Sequence, residues 1–292
     1  MTRRFALLGD PVRHSISPAM HRAAFEIEGL DAEYVARRAA SAEVGSIMRS
    51  ADLTGGNVTL PHKLRAAEAL TRPSAAVRAT GACNCWWRQA DGELAGDNTD
   101  VGGLQIALSR LGFQAQRARV LLLGAGGAAR AAVHALLEGG ASSVEILNRT
   151  PARARAMRDA AVACAADAAG ALRVIEAPEP GATYDLVLNS TSLGLSPEDP
   201  LPLDLGARPD RAKFRAAFDM VYAPGETAWV HHGRALGISA RGGLDMLVGQ
   251  AALSLERWFP GRAAPFGAMR DAAVAELAAR VESEPGDGSS GP

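Results

Sequence analysis

Lysine is almost absent from this chain: of its 31 basic residues, all but Lys63 and Lys213 are arginine. Arginine serves wherever a fixed positive charge is enough, but it stays protonated and cannot exchange a proton near neutral pH. A lysine that persists against such a bias marks a place to look for proton exchange. Lys63 closes the stretch NVTLPHK, residues 57 to 63, whereas Lys213 lies in RPDRAKFRAAF and reads as solvated surface.

An excess of one charge sign is missing too. The formal net charge is −1, so no global positive field gathers nucleic acid or an anionic membrane surface. A small-molecule partner is expected, with no nucleic acid and no membrane. Only three cysteines occur: Cys83 and Cys85 flank a single residue and Cys164 stands alone. That pattern fits neither a disulfide framework nor a CxxC metal pair, so no metal is expected, and a reduced cytoplasm is the expected compartment. Long hydrophobic runs are lacking as well. MTRRFALLGDP carries only a short apolar stretch, so no export is expected. VLLLGAGGAARAAVHALL is interrupted by Arg130, His134 and glycines and does not read as a membrane span.

What is present is a chain of 292 residues, 48% apolar, enough for two domains of ordinary size. FALLGDPV reads as a short buried strand. In SISPAMHRAAFEIEGL, Ser17 precedes Pro18 and an apolar face of Met20, Ala24, Phe25 and Ile27, which predicts an N-cap, a first-turn proline and a helix ending at Gly29. DAEYVARRA predicts a strand, SAEVGSIMRSA a helix, LTGGNVTL a strand and KLRAAEAL a helix. Strand and helix alternate from the outset, the pattern of an α/β fold. The pattern restarts at RARVLLLGAGGAARAAVHALLEGGASSVEILNRT, a strand, glycine turn, helix and second strand in the order of a βαβ nucleotide-binding unit. Further strands are expected at YDLVLNST, RAAFDMVY and GISARGG, and a helix over Leu244 to Trp258. The tail ESEPGDGSSGP has no strong apolar residues, and 286–292 are expected to be disordered.

In GAGGAA, Gly124 and Gly126 follow the apolar strand and open the helix. Glycine there permits a tight turn and lets the backbone approach a pyrophosphate, which the helix N-terminus stabilises, while Ala129 suits close helix-to-strand packing. The end of the second strand offers no carboxylate to hold ribose hydroxyls; it reads Asn148, Arg149, Thr150, with Arg153 one helical turn on. Guanidinium groups suit a 2′-phosphate, which favours NADP over NAD.

Four polar clusters, HSISP, NVTLPHK, ACNC and GDNTD, fall at element ends. In an α/β sheet such ends converge on one crevice. Ser15, Ser17, Asn57, Thr59, Asn84 and Asp100 would present hydroxyl, amide and carboxylate groups there, an inventory suited to a ligand with several hydroxyls and a carboxylate. Singly, Ser17 and Asp100 also fit helix caps and Asn84 a turn.

The ordered set GDPVRHSISPAMH, GGNVTLPHK, GACN, GDNTD, LLLGAGGAARA, NRTPAR, LNSTSLG, FDMVYAPGET and GGLDMLVGQAALSLERW resembles shikimate dehydrogenases from about residue 5 to 260. The resemblance implies NADP-dependent, reversible reduction of 3-dehydroshikimate to shikimate, on the route to chorismate and aromatic amino acids. It implies two domains: an α/β substrate domain from 1–102 and 238–285, completed by C-terminal helices, and a Rossmann-type NADP domain from 103–237, in a monomer or homodimer. Ser15 and Ser17 resemble the pair that binds the shikimate carboxylate. Asn57, Thr59, Asn84 and Asp100 sit in motifs that contact ring hydroxyls, and Tyr222 and Gln250 match further substrate contacts. NADP contacts are implied at Gly124, Ala125, Gly126, Gly127, Ala128, Asn148, Arg149, Thr150, Arg153, Thr191, Met220, Gly243 and Met246. Lys63 and Asp100 match the family's catalytic pair.

Two departures stand out. Cys85 takes a place where family members commonly carry threonine, beside Trp86 and Trp87, and Ser190 takes the place of a more typical alanine. Both bear on pocket shape, so quinate or an amino-substituted shikimate remain alternative substrates, and a non-enzymatic NADP-binding module is the alternative of another class.

Oxidising a secondary alcohol requires loss of the hydroxyl proton as well as hydride departure, and the protein must handle the proton. A lysine can take and return it, where arginine cannot. Lys63 is therefore the expected acid/base and Asp100 the residue that orients it.

Overall fold

The computed structural model describes residues 2–196, 198–206 and 212–283, with the side chains of 166, 167 and 283 excepted, and the tail 286–292 lies outside the described residues. The first part of the chain runs β1 (Arg3–Gly9), α1 (Ser17–Ile27), β2 (Ala32–Arg38), α2 (Val44–Met48), β3 (Gly55–Val58), α3 (Lys63–Glu68), β4 (Arg72–Pro73), α4 (Ala75–Thr80), β5 (Cys85–Arg88) and β6 (Leu94–Asp97). These strands form one sheet in the order β2-β1-β3-β5-β6-β4.

Alternation along β1 explains how that sheet is covered. Phe5 and Leu7 pack on one side with Met20 and Phe25 of α1 and with Trp258 and Met269 from the far end of the chain. Ala6 and Leu8 face the other side, against Val44, Met48, Ala66 and Val77 of α2, α3 and α4. Strand periodicity of two sends successive side chains to opposite faces, so a strand covered on both sides reads as an unbroken apolar run.

Helix α5 (Thr99–Leu111) leads into β7 (Arg119–Leu123), α6 (Gly127–Glu138), β8 (Ser143–Leu147), α7 (Pro151–Cys164), β9 (Leu172–Ile175), β10 (Thr183–Tyr184), β11 (Leu186–Asn189), β12 (Lys213–Phe214), β13 (Ala216–Asp219), α8 (Ala228–Ala235) and β14 (Ser239–Arg241). The second sheet has the order β14-β13-β11-β7-β8-β9 and every pairing in it is parallel. Val120 and Leu122 pack with Leu104 of α5, Ala132 and Leu136 of α6 and Met157 of α7. Leu121 and Leu123 pack with Trp229 and Val230 of α8. The order reverses between β7 and β11, and a ligand crevice forms at such a switch point, beyond the carboxyl ends of the strands.

Helix α9 (Leu244–Trp258) and helix α10 (Phe266–Ser283) return to the first sheet. Asp245 of α9 accepts from Arg241 at 2.8 Å and from Arg270 of α10 at 3.0 Å, which ties the two helices together.

Two features of the first sheet lie beyond the sequence expectations, and one expected cap is displaced. The first sheet is mixed, because β5 pairs antiparallel with both β3 and β6. The β5–β6 hairpin turns through Gly92 in the left-handed region at φ +86°. Ser17 is the first helical residue rather than the N-cap, which is Ile16. Ser15 instead serves the helix start, its Oγ accepting from the Ser17 N–H at 3.2 Å.

Candidate active site

Lys63 is the first residue of α3, directly after the β3 loop, and Asp100 lies in the first turn of α5, directly after β6. The lysine Nζ donates to Asp100 Oδ2 at 2.6 Å, with the two side chains only 13% and 7% exposed. The other carboxylate oxygen, Oδ1, accepts from Asn84 Nδ2 at 2.8 Å. Asn84 Nδ2 also points to Gln250 Oε1 at 3.3 Å. Asn84 is itself fixed: its Oδ1 accepts from the Thr99 N–H at 2.7 Å and from Thr99 Oγ1 at 3.1 Å.

Asn57 stands behind this group rather than beside the lysine. Its Nδ2 donates to the Asn84 carbonyl at 3.0 Å and to Ser254 Oγ at 2.8 Å, and its Oδ1 accepts from Tyr34 at 2.9 Å. Both amide hydrogens are committed to protein acceptors. Lys63, Asp100, Asn84, Gln250 and Asn57 thus form one buried network. Ser15 and Ser17 form a separate pair, with their hydroxyl oxygens 3.2 Å apart. Tyr222 packs half-buried beside α9 and α1, and burial pushes its phenol pKa up. Thr59 is half-buried, with its backbone N–H bonded to Leu8 O at 2.8 Å.

The glycine turn reaches the same place from the second sheet. Gly124 has φ +107°, and a Cβ there would lie 2.6 Å from Ser190 Oγ. A Cβ at Gly126 would meet no atom within 4 Å, so packing alone does not demand glycine there, and the space beside the loop is open to a ligand. A Cβ at Gly127 would lie 3.5 Å from Lys63 Cδ, which puts the lysine stem against the loop. Gly126 N-caps α6, with Ala125 before it and Gly127 and Ala128 in its first turn, so the helix start directs unpaired N–H groups toward the loop.

At the end of β8, Asn148 Nδ2 donates to Thr150 O at 2.8 Å, and Arg149, Thr150 and Arg153 are exposed. Among the described residues, neither Arg149 nor Arg153 has an ion-pair partner. The donor set therefore fits an anionic 2′-phosphate. Thr191 is held by Asn189, whose Oδ1 accepts from its N–H at 3.0 Å and its Oγ1 at 2.7 Å. Met220 lies alongside Gly243, where a Cβ would strike Met220 O at 2.2 Å. Met246 is in the apolar core next to Val101 and Leu104.

Comparison with known proteins decides which family carries this site. The model of the shikimate dehydrogenase substrate binding domain matches residues 7–86, that of shikimate / quinate 5-dehydrogenase matches 105–194, and that of the shikimate 5′-dehydrogenase C-terminal domain matches 243–274. A shikimate dehydrogenase (NADP(+)) from Maricaulis maris is 39% identical over 278 residues, 93% of this chain and 95% of the relative. This chain belongs to the shikimate dehydrogenase family. A second relative of that name, from Nitrosopumilus maritimus, is 34% identical over 93% of this chain and 98% of its own. The crystal structure of shikimate 5-dehydrogenase from Thermus thermophilus in complex with NADP(H) and shikimate superposes with a TM-score of 0.79. It is 36% identical over 94% of this chain and all of that one.

Within that family fold, Ser254, Thr99 and Tyr34 are supporting residues that the sequence motifs did not single out. Ser254 Oγ accepts from Asn57, lies 3.1 Å from Thr99 Oγ1 and donates to Gln250 O at 2.8 Å. The signal was available: a serine four residues after Gln250 falls on the same buried helix face. Of the two departures, Cys85 is fully buried and its thiol pKa is pushed up to about 12 by burial, so it stays an uncharged packing group. Ser190 Oγ donates to Leu123 O at 2.7 Å, closing the end of β7 next to Gly124. Among the described residues, no helix is long and apolar enough to cross a membrane.

Proposed function

We propose that this chain catalyses the reversible NADPH-dependent reduction of 3-dehydroshikimate to shikimate. The observation that carries the proposal is the Lys63–Asp100 pair, nearly removed from water and set against Gly127 of the nucleotide loop. NADPH, when bound, supplies the hydride. Lys63 Nζ gives a proton to the ketone oxygen as it becomes the alcohol, and takes it back in the reverse direction. Asp100 holds the ammonium in place through one oxygen, while Asn84 fixes the other and so sets the direction of the pair.

Ser15 and Ser17 are assigned to the substrate carboxylate, Thr59 and Asn84 to the ring hydroxyls, and Tyr222 and Gln250 to further substrate contacts. Asn57, with both amide hydrogens held by protein oxygens, is assigned to bracing Asn84. Gly124 to Ala128 take the pyrophosphate, Asn148 to Arg153 the 2′-phosphate, and Thr191, Met220 and Gly243 the nicotinamide side. The substrate unit is assigned to 1–102 and 238–285 and the NADP unit to 103–237; the first sheet lies wholly within the former, whereas β14 (Ser239–Arg241) pairs with β13, so the second sheet reaches past residue 237. Three free cysteines suit a reducing cytoplasm, where the chain works as a monomer or homodimer.

The test is one assay matrix: shikimate, quinate and aminoshikimate, each with NADP and with NAD. The highest kcat/KM is expected for shikimate with NADP. A preference for another ring acid would reassign the substrate, and no turnover with any pair would remove the catalytic reading.

A further inference from the structure

We infer that Arg280, on the last turns of α10, determines selectivity for an anionic substrate by fixing the Ser15 loop and placing a positive charge behind it. The inference rests on the reading that Ser15 and Ser17 receive the substrate carboxylate. Two neutral hydroxyls are a weak match for a full negative charge in a partly dehydrated crevice, because a charge taken from water needs charged or multiple donors to compensate it.

The geometry supplies such a charge. Arg280 donates from Nη1 to His14 O at 2.6 Å and from Nη2 to Ser15 O at 3.0 Å, across 266 and 265 residues of chain. These bonds hold the backbone of the residue whose Oγ caps Ser17. The same guanidinium reaches Tyr222 electrostatically: burial raises that phenol and the Arg280 charge pulls it partly back. Ser15, held directly by Arg280, Ser17, capped by Ser15 Oγ, and Tyr222 therefore surround one cation. Glu276, one turn earlier, accepts from Arg280 Nε at 3.1 Å and Nη2 at 2.8 Å. It aims the guanidinium and offsets part of its charge. With four N–H bonds directed to the His14 and Ser15 carbonyls and to Glu276, Arg280 acts through the field and through Ser15, as a positioning residue.

The experiment compares the wild type, Arg280→Met and Arg280→Lys, each assayed with shikimate and with its neutral methyl ester at saturating NADP. Loss of a partly exposed charge in Arg280→Met is expected to raise KM for shikimate roughly three- to tenfold and leave its kcat within about twofold. KM for the ester should stay unchanged, so the acid-over-ester preference shrinks, and Arg280→Lys should recover part of it. Parallel shifts for acid and ester would reduce Arg280 to a helix anchor and overturn the inference. So would an unchanged preference in Arg280→Met. A wild type that does not distinguish acid from ester would instead overturn the carboxylate assignment of Ser15 and Ser17, and the role of Arg280 with it.

Discussion

Lys63 and Gly127 meet across the cleft: a methyl group on that glycine would lie 3.5 Å from the lysine Cδ. The first belongs to a helix that follows the first sheet and the second to the helix that opens the nucleotide-binding unit. Proton and hydride must reach the same carbon–oxygen bond, so the group that moves the proton has to border the loop that holds the hydride donor.

The glycines of the loop should respond unequally. Gly124→Ala places a side chain at φ +107° and 2.6 Å from Ser190 Oγ, and is expected to cost about 1–3 kcal/mol of stability and to raise KM for NADP. Gly127→Ala makes only ordinary contact, and its stability should stay within about 0.5 kcal/mol of wild type. Urea unfolding of both variants checks this; equal losses would contradict it.

Cofactor choice should follow the arginines after β8. Replacing both Arg149 and Arg153 by Glu removes the cations assigned to the 2′-phosphate and adds repulsion. The NADP-to-NAD ratio of kcat/KM is expected to fall by roughly 100-fold or more, at about 1.5–3 kcal/mol per charged hydrogen bond lost. An unchanged ratio would refute the assignment.

Asn57→Leu keeps volume but leaves Tyr34, Ser254 and the Asn84 carbonyl without their partner. Stability should drop by about 1–3 kcal/mol, and kcat should fall because Asn84 no longer steadies Asp100. NADP affinity, measured by fluorescence titration, should not change; a variant with wild-type kcat would show that Asn84 needs no brace.

His21 makes stability depend on pH. Its ring is fully buried and stacked on Tyr34, with neither nitrogen in good hydrogen-bonding geometry, and burial, outweighing the opposing influence of Asn57, pushes its pKa from 6.5 down to about 3. The unfolded chain therefore binds one more proton than the folded chain between these values. The contribution is fully present above pH 6.5 and is lost as pH falls toward 3, at up to about 1.4 kcal/mol per pH unit. His21→Phe keeps the ring stack and removes the proton, so its unfolding free energy should fall less steeply with acid than that of the wild type. Parallel slopes would contradict this.

The nucleotide-binding unit was legible because its signals are local: an apolar strand, a glycine turn, a helix and a second strand follow one another within 29 residues, Arg119 to Leu147. The lysine was legible from its rarity. The β5–β6 hairpin was less so, because the sheet is covered on both faces there and CWWRQADGELAGD shows no clean alternation. Its one local signal is Asp91-Gly92 at the turn, a pairing that favours a tight hairpin. Nor could the sequence disclose that Asn57 is saturated by Tyr34 and Ser254, because those partners come from positions 23 and 197 residues away. The same distance hides Arg280 from Ser15: such pairings exist only once α10 has returned to the first sheet.

The most direct test of the central claim is the turnover of Lys63→Arg. The variant keeps a positive charge beside Asp100 and removes proton exchange. The account predicts that kcat for shikimate oxidation falls roughly 100- to 10,000-fold while calorimetry still detects shikimate and NADP binding. Near-normal turnover in Lys63→Arg would contradict it, since the lysine would then supply charge alone.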